Sequence, residues 1–358
     1  MFKSIHGKRR IILISWPFLL AALILLVVRL AVRNPWKVEQ LYSTGIYPFI
    51  AYLFSFFSKL VPFSLWDHFW ILFILLLLCG LILVVFRKIK LSWYLLRLTQ
   101  LLALLYSLFY LSWGFNYYRP GIETRIGWKS PKADEQVFRS ILDSLIIHSN
   151  KSYAQISATE YPILDKLVEE SYRRNSNRLG INYPNGTRRP KKIVFSSYFA
   201  KSGVSGYFGP FFNEVHLNYY LFPADYPFLL AHEKAHQFGI ASEAEANLAA
   251  FIICTTSDDM RLQYSAYMYL LLYFLKDAEM MPDYHEFIKK IDKQVIANIR
   301  FRAKYYDGLQ NTILENVQTA VNDAYLKSNH IKKGVKNYNQ VVTLVISWYF
   351  NSGLSKEQ

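Results

Sequence analysis

His232, Glu233 and His236 form the pattern H-E-x-x-H within His232-Glu-Lys-Ala-His236, and Gly239, Glu243, Glu245 and Asn247 follow closely. Residues four apart lie on one face of a helix, so His232 and His236 can present two imidazoles to one metal ion. Glu233, one position on from the first imidazole, is placed to take a proton from a water at that ion. Two imidazoles and a carboxylate, with a fourth position left to water, make a catalytic zinc site rather than a structural one. The cofactor expected is about one Zn2+ per chain. Two histidines and a glutamate can also share a polar helix face by coincidence. Here Phe228-Leu-Leu-Ala231, Ala235, Phe238 and Ile240 make the stretch apolar. A helix of this kind buries its imidazoles and carboxylate, which is costly without partners, and a metal relieves that cost.

Two helices must position these groups. Gly239 can end the first, because it tolerates the left-handed conformation of a helix terminus. Ser242 can N-cap the second, with Glu245 at the third position completing a capping-box pattern. The apolar run Leu248-Ala-Ala-Phe-Ile-Ile-Cys254 then carries that helix inward. The carboxylates nearest the metal are therefore Glu243 and Glu245, which point in different directions. Glu243 shares a face with Asn247, so Glu243 is the expected third ligand and Glu245 its rival. Asn247 is expected to hydrogen-bond a ligand histidine and fix its ring. Ser242 stands where the pattern H-E-x-x-H-x-x-G-x-x-H has a third histidine, which disfavours that class.

Upstream, Lys192–Tyr198 and Phe211–Asn218 read as strands, with a turn or bulge at Gly203–Pro210. A strand beside the metal helix can take an extended peptide by edge addition, or the pair can be a plain hairpin that packs on the helix. His216, Tyr207, Tyr219, Tyr220 and several later tyrosines are candidates to polarise a tetrahedral intermediate, and nothing in the sequence chooses among them. The run Arg188-Arg-Pro-Lys-Lys192 reads as a solvated basic surface. Residues 134–173, 257–307, 311–328 and 335–350 read as mainly helical.

The chain of 358 residues is 53% hydrophobic, 17% aromatic and carries a formal charge of +15. Such apolarity fits a protein partly in a lipid bilayer. Three spans are expected at about 11–31, 66–86 and 95–115, forming a transmembrane module over 1–115. Ile46 to Pro62 reads as an interfacial or re-entrant helix, with a fourth span as the alternative. Lys and Arg cluster at the N-terminus and at Arg87-Lys-Ile-Lys90, so the positive-inside rule puts both in the cytoplasm and residues 116–358 outside it. In a Gram-negative cell this is the inner membrane, with the second domain in the periplasm. No nucleic-acid motif accompanies the basic charge. Cys79 and Cys254 fall in different regions, and no disulfide is expected.

The segment Glu243-Ala-Glu-Ala-Asn247 resembles the E-x-x-A-D segment of membrane zinc peptidases of the HtpX-like and CAAX-prenyl-peptidase group. That resemblance implies the leading glutamate, Glu243, as third ligand; Asn247 replaces the aspartate, and the loop from His236 is shorter here. The wider chain resembles an uncharacterised bacterial family defined only as a domain of unknown function, with three N-terminal spans and an outer H-E-x-x-H domain. The matching features are Trp113-Gly-Phe-Asn-Tyr-Tyr-Arg119, the metal motif with its SEAEAN segment, and Gly334-Val-Lys-Asn-Tyr-Asn-Gln-Val-Val342.

The expected architecture is thus a helical transmembrane module followed by a mainly α, α+β zincin-like domain with a small edge-type sheet beside the metal helix. The expected activity is gluzincin-like: hydrolysis of peptide bonds in a peptide or protein substrate, with Glu233 as the base. The alternative is a zinc-binding membrane sensor without robust catalysis.

Overall fold

The computed structural model describes residues 2–129, 134–328 and 340–352. Among the described residues, three helices are long and apolar enough to cross a membrane, within α1 (Phe2–Arg33), α3 (Leu65–Val85) and α4 (Leu91–Ser112), with α2 (Tyr47–Ser58) between the first two. The apolar stretches run over Ser15–Arg33, Leu65–Val85 and Leu91–Ser112. The third therefore lies nearer the N-terminus than the expected 95–115. Trp113 breaks the helix, and Gly114–Tyr118 forms a 3-10 turn whose rings pack on neighbouring elements instead of continuing the span. Ser64 starts α3 by accepting a hydrogen bond from the Asp67 amide at 2.9 Å.

The stretch expected to be interfacial, Ile46 to Pro62, is largely α2, which a π-helical segment, Val38–Ile46, precedes. Twelve residues make a helix of about 18 Å, too short to cross a bilayer core of about 30 Å. Its faces divide cleanly. Tyr47, Ala51, Ser55 and Ser58 are buried, while Phe49, Leu53, Phe56 and Phe57 are exposed on the other side. That is the pattern of a helix lying between a protein surface and lipid.

The second domain packs around one hydrophobic core running from Ile122 to Tyr349. Its elements are α5 (Glu135–Lys151), α6 (Tyr161–Asn175), β1 (Lys191–Lys192), α7 (Ser196–Lys201), β2 (Gly206–Gly209), β3 (Glu214–Leu217), α8 (Tyr226–Gln237), α9 (Glu243–Thr255), α10 (Met260–Ala278), α11 (Lys293–Leu309), α12 (Thr312–Ser328) and α13 (Val341–Asn351). The sheet order is β1-β3-β2, with β1 parallel and β2 antiparallel to β3. The apolar C-terminal segment joins the core: Val341, Val345 and Tyr349 are buried, and Trp348 meets the Phe251 ring edge-on. The expected 334–342 feature lies largely outside the described residues.

The strands differ from the sequence reading. Strand β1 stops after Lys192, because the Val194 amide turns to donate to Asp67 Oδ2 at 2.8 Å and Ser196 opens a short helix. The expected turn instead contains the edge strand β2. Asn213, at φ 52°, supplies the left-handed corner of the hairpin to β3. The basic run is only half a solvated surface: Arg189 and Lys192 are exposed, and Arg188 and Lys191 are not. Arg188 is buried and pairs with Glu169 at 2.6 Å, and Lys191 Nζ donates to the carbonyls of Ser58, Val61 and Phe63 and pairs with Glu214. Those carbonyls end α2 and lead into α3, so a lysine that periodicity assigns to solvent instead joins the two parts of the molecule. Cys79 and Cys254 are both free, and Cys254 is a core residue.

Candidate metal centre

Helix α8 carries the H-E-x-x-H pattern. Pro227 sits in its first turn, where the missing amide hydrogen costs nothing, and Gly239 at φ 86° closes it. Every residue from Tyr226 to Gln237 is buried. Lys234, inside the motif, is completely buried and paired with Glu169, a role its position in the pattern did not signal. This pair ties α8 to α6, and the Arg188–Glu169 pair ties the segment before β1 to the same carboxylate.

Helix α9 begins where expected: Ser242 Oγ accepts from the Glu245 amide at 3.4 Å. The other half of the capping box is absent. Glu245 Oε1 accepts from the Ile122 amide at 3.1 Å, and Oε2 pairs with Arg125 at 3.2 Å. Arg125 is almost fully buried and needs a counter-charge, which outweighs a return bond to Ser242. Glu245 is thereby turned away from the histidines, and Glu243 faces them.

The three groups converge. His232, His236 and Glu243 place one ligand atom each within 4.8 Å of one another. Glu243 Oε2 lies 3.2 Å from His232 Nε2 and 3.5 Å from His236 Nε2, and the two Nε2 atoms are 3.2 Å apart. The far side of each ring is occupied. His232 Nδ1 lies 2.8 Å from Asn247 Oδ1, and His236 Nδ1 lies 2.7 Å from the Ile240 carbonyl. Both partners accept, so both Nδ1 atoms carry hydrogen and donate. In the neutral rings this leaves two Nε2 lone pairs and a carboxylate facing one another with no donor. Such a set holds either an extra proton or a cation, and it fits a divalent ion with imidazole and carboxylate ligands.

The electrostatics agree. Burial opposes charge on His236, but Glu243 and Glu233 override it and lift its pKa to about 9. Burial raises the Glu243 carboxyl, and the two histidines more than reverse this, so it stays well below the usual range. Glu233 is raised by burial, lowered by His232 and His236, and raised again by Glu243, with a net upward shift. Its side chain lies against β2. A Cβ on Gly206 would sit 3.1 Å from Glu233 Cγ and 2.8 Å from the His216 carbonyl oxygen, so only glycine lets the edge strand approach the carboxylate this closely.

The oxyanion candidates are mostly committed elsewhere. His216 is fully buried, with Nε2 2.8 Å from Ser64 Oγ and 3.3 Å from Glu214 Oε2. Tyr207 donates to Asp67. Tyr219 and Tyr220 are exposed. The structure brings one of the later tyrosines to the site: Tyr273, on α10, stands beside Asn247 in the field of Glu243, and burial raises its pKa. No spacing pattern links α10 to the candidate metal motif, so the sequence had no signal that singled it out among the later tyrosines.

Elements next to the spans grip the C-terminal end of α8. Trp113 Nε1 donates to the His236 carbonyl at 2.8 Å, Tyr47 hydroxyl to the Gln237 carbonyl at 2.6 Å, and Arg119 Nη1 to the Gly239 carbonyl at 2.8 Å. Arg119 is itself fixed by two bonds to Glu39 in the π-helical segment, both 2.7 Å. The Gln237 and Gly239 carbonyls at this helix end thus gain partners from elements beside the spans, and the His236 carbonyl, which also accepts from the Gly239 amide at 3.0 Å, gains a second.

The chain belongs to a family described as protein of unknown function (DUF3810), whose model matches residues 42–346. The match takes in α3, α4 and the whole candidate metal centre. No curated protein and no solved structure matches the chain.

Proposed function

We propose that the protein is a membrane-anchored, zinc-dependent peptidase-like hydrolase, with its second domain outside the cytoplasm of a bacterial cell. The observation that carries this reading is the convergence of three acceptor atoms, from His232, His236 and Glu243, beside a buried carboxylate that they do not need for binding. A site that only held metal would have no use for Glu233 there.

When bound, zinc supplies Lewis acidity that acidifies water and polarises a carbonyl. The rest falls to the chain. Asn247 and the Ile240 carbonyl hold the two rings in the tautomer that directs Nε2 inward. Glu233, its pKa raised by burial, takes a proton from the attacking water and delivers it to the leaving amine. One water is consumed per peptide bond, giving a carboxylate and an amine. Strand β2, at the edge of its sheet and against Glu233, aligns an extended substrate by backbone pairing. Tyr273 is the candidate donor to the developing oxyanion. The orientation rests on the Lys and Arg clusters at the N-terminus and at Arg87–Lys90.

The test is a pair of measurements on purified full-length protein. Wild type and Glu233→Gln should bind about one zinc each by elemental analysis. Against a randomised peptide library, Glu233→Gln should be at least about 100-fold slower. Metal bound by both with no cleavage by wild type would point to a zinc-binding sensor. No metal in wild type, even after zinc is added, would remove the reading.

A further inference from the structure

The geometry points to a substrate class for this site: an extended polypeptide anchored in the same bilayer, cut in the stretch that leaves the lipid. This inference rests on the hydrolase reading above and adds to it where the substrate comes from.

Every residue of β2 after Gly206 is attached to the domain-side end of a span. Tyr207 donates to Asp67, in the first turn of α3. The Phe208 ring lies 5.6 Å from that of Trp113, which directly follows α4. At Gly209 the backbone rests on Trp66, where an added Cβ would meet the indole at 2.8 Å. The strand that passes Glu233 is therefore one side chain removed from the ends of two spans. The metal helix is equally close, since the carbonyl of ligand His236 accepts directly from Trp113.

Helix α2 fixes the depth independently. Its buried face meets the metal domain through Tyr47 and Ala51, and its other face exposes Phe49, Leu53, Phe56 and Phe57. With that face in lipid, the end of α8 is separated from the hydrocarbon by one helix, about 10 Å. The segment from β1 into α7 runs along the same level. Val194 is hydrogen-bonded to Asp67, and Val194, Phe195 and Tyr198 are exposed.

A chain emerging from lipid covers about 3.3 Å per extended residue, so about three or four residues reach β2. Such a chain is delivered to the strand at high effective concentration by its own anchor. A chain whose cleavable stretch lies far out on a flexible spacer must fold back toward the membrane to reach the same strand.

The experiment uses zinc-loaded full-length protein in lipid vesicles. Reporters carry a randomised stretch placed about four or about 25 extended residues beyond their anchor, at equal surface density. One set is anchored by a transmembrane helix and one by an acyl chain. Glu233→Gln protein gives the background. The short-spaced reporter should be cut at least about tenfold faster than the long-spaced one. Preference for one anchor would then tell integral membrane proteins from lipidated ones. Equal rates at the two spacings, or faster cutting of the long-spaced reporter, would overturn the inference and leave the hydrolase reading intact. No cutting of any reporter, soluble versions included, would remove the hydrolase reading and this inference with it.

Discussion

Two clusters of histidine and glutamate, one on β3 and one on α8 and α9, are wired in opposite ways. In the first, Glu214 accepts from Ser58 Oγ at 2.8 Å, from the Leu65 and Trp66 amides at 3.3 and 3.0 Å, and pairs with Lys191 at 2.9 Å. Donors surround the carboxylate, and despite burial they pull its pKa down to about 2. In the second, the donors are spent on the outer sides of the two rings, and the acceptors of His232, His236 and Glu243 are left facing one another. The residue types are nearly the same. What separates a structural junction from a ligand site is the count of donors to acceptors, since converging lone pairs need a cation or a proton between them.

This contrast can be broken most directly by removing one member from each cluster. His236→Ala should abolish stoichiometric zinc binding, read by elemental analysis. Glu214→Gln should keep the zinc but lower stability by about 3–5 kcal/mol, because Lys191 stays buried without its counter-charge. Zinc loss in Glu214→Gln with the fold intact would erase the distinction.

Glu245→Ala sharpens the comparison within a single helix turn. It should keep zinc, unlike Glu243→Ala, while leaving Arg125 unpaired, with a stability loss of about 3 kcal/mol in thermal unfolding. The reverse outcome, zinc lost in Glu245→Ala and kept in Glu243→Ala, would exchange the two roles.

Proton linkage separates the clusters in another way. The folded His236 pKa, about 9, lies above its unfolded value of about 6.5. In the metal-free protein its contribution to stability is complete below about pH 6.5 and is lost as pH rises through about 9. Zinc must displace that proton, so titration calorimetry at pH 7 in buffers of different ionisation enthalpy should show about one proton released per zinc. The release should vanish well above pH 9. Release that does not change over this range would exclude His236 as the proton holder.

The smallest expected effect is Trp113→Phe. Loss of the indole bond to the His236 carbonyl should cost about 1 kcal/mol. Because the bond positions a ligand, the change should appear as faster zinc release to a chelator, with the zinc count unchanged. Zinc release at the wild-type rate would show that the grip on α8 is structural only.

Much of the candidate site was legible in the chain because it depends on local geometry. The four-residue spacing of His232 and His236 follows from the helix period. Gly239 marks the break, and Ser242 marks the next start. The three apolar stretches are long enough to be read from hydropathy, although Trp113 ends the third early. Other features were illegible because they depend on partners far along the sequence. Nothing near Lys191 announces that the carbonyls of Ser58, Val61 and Phe63 await it. Nothing near Gly206 announces Glu233, and a glycine-rich stretch that reads as a turn becomes an edge strand because only glycine fits there.

By itself, then, the sequence determined which side chains could share a helix face, where helices stop, and which segments suit lipid. These are short-range consequences of helix geometry and of apolar length. Tertiary structure alone turned Glu243, and not Glu245, toward His232 and His236, because Arg125 and the Ile122 amide, more than a hundred residues upstream, claim the second. It also decided that the ends of the spans hold α8 and the edge strand. The physical reason is the same in both cases. A buried charge or an unpaired carbonyl must find a partner wherever the fold brings one, and periodicity along the chain carries no record of which partner that is.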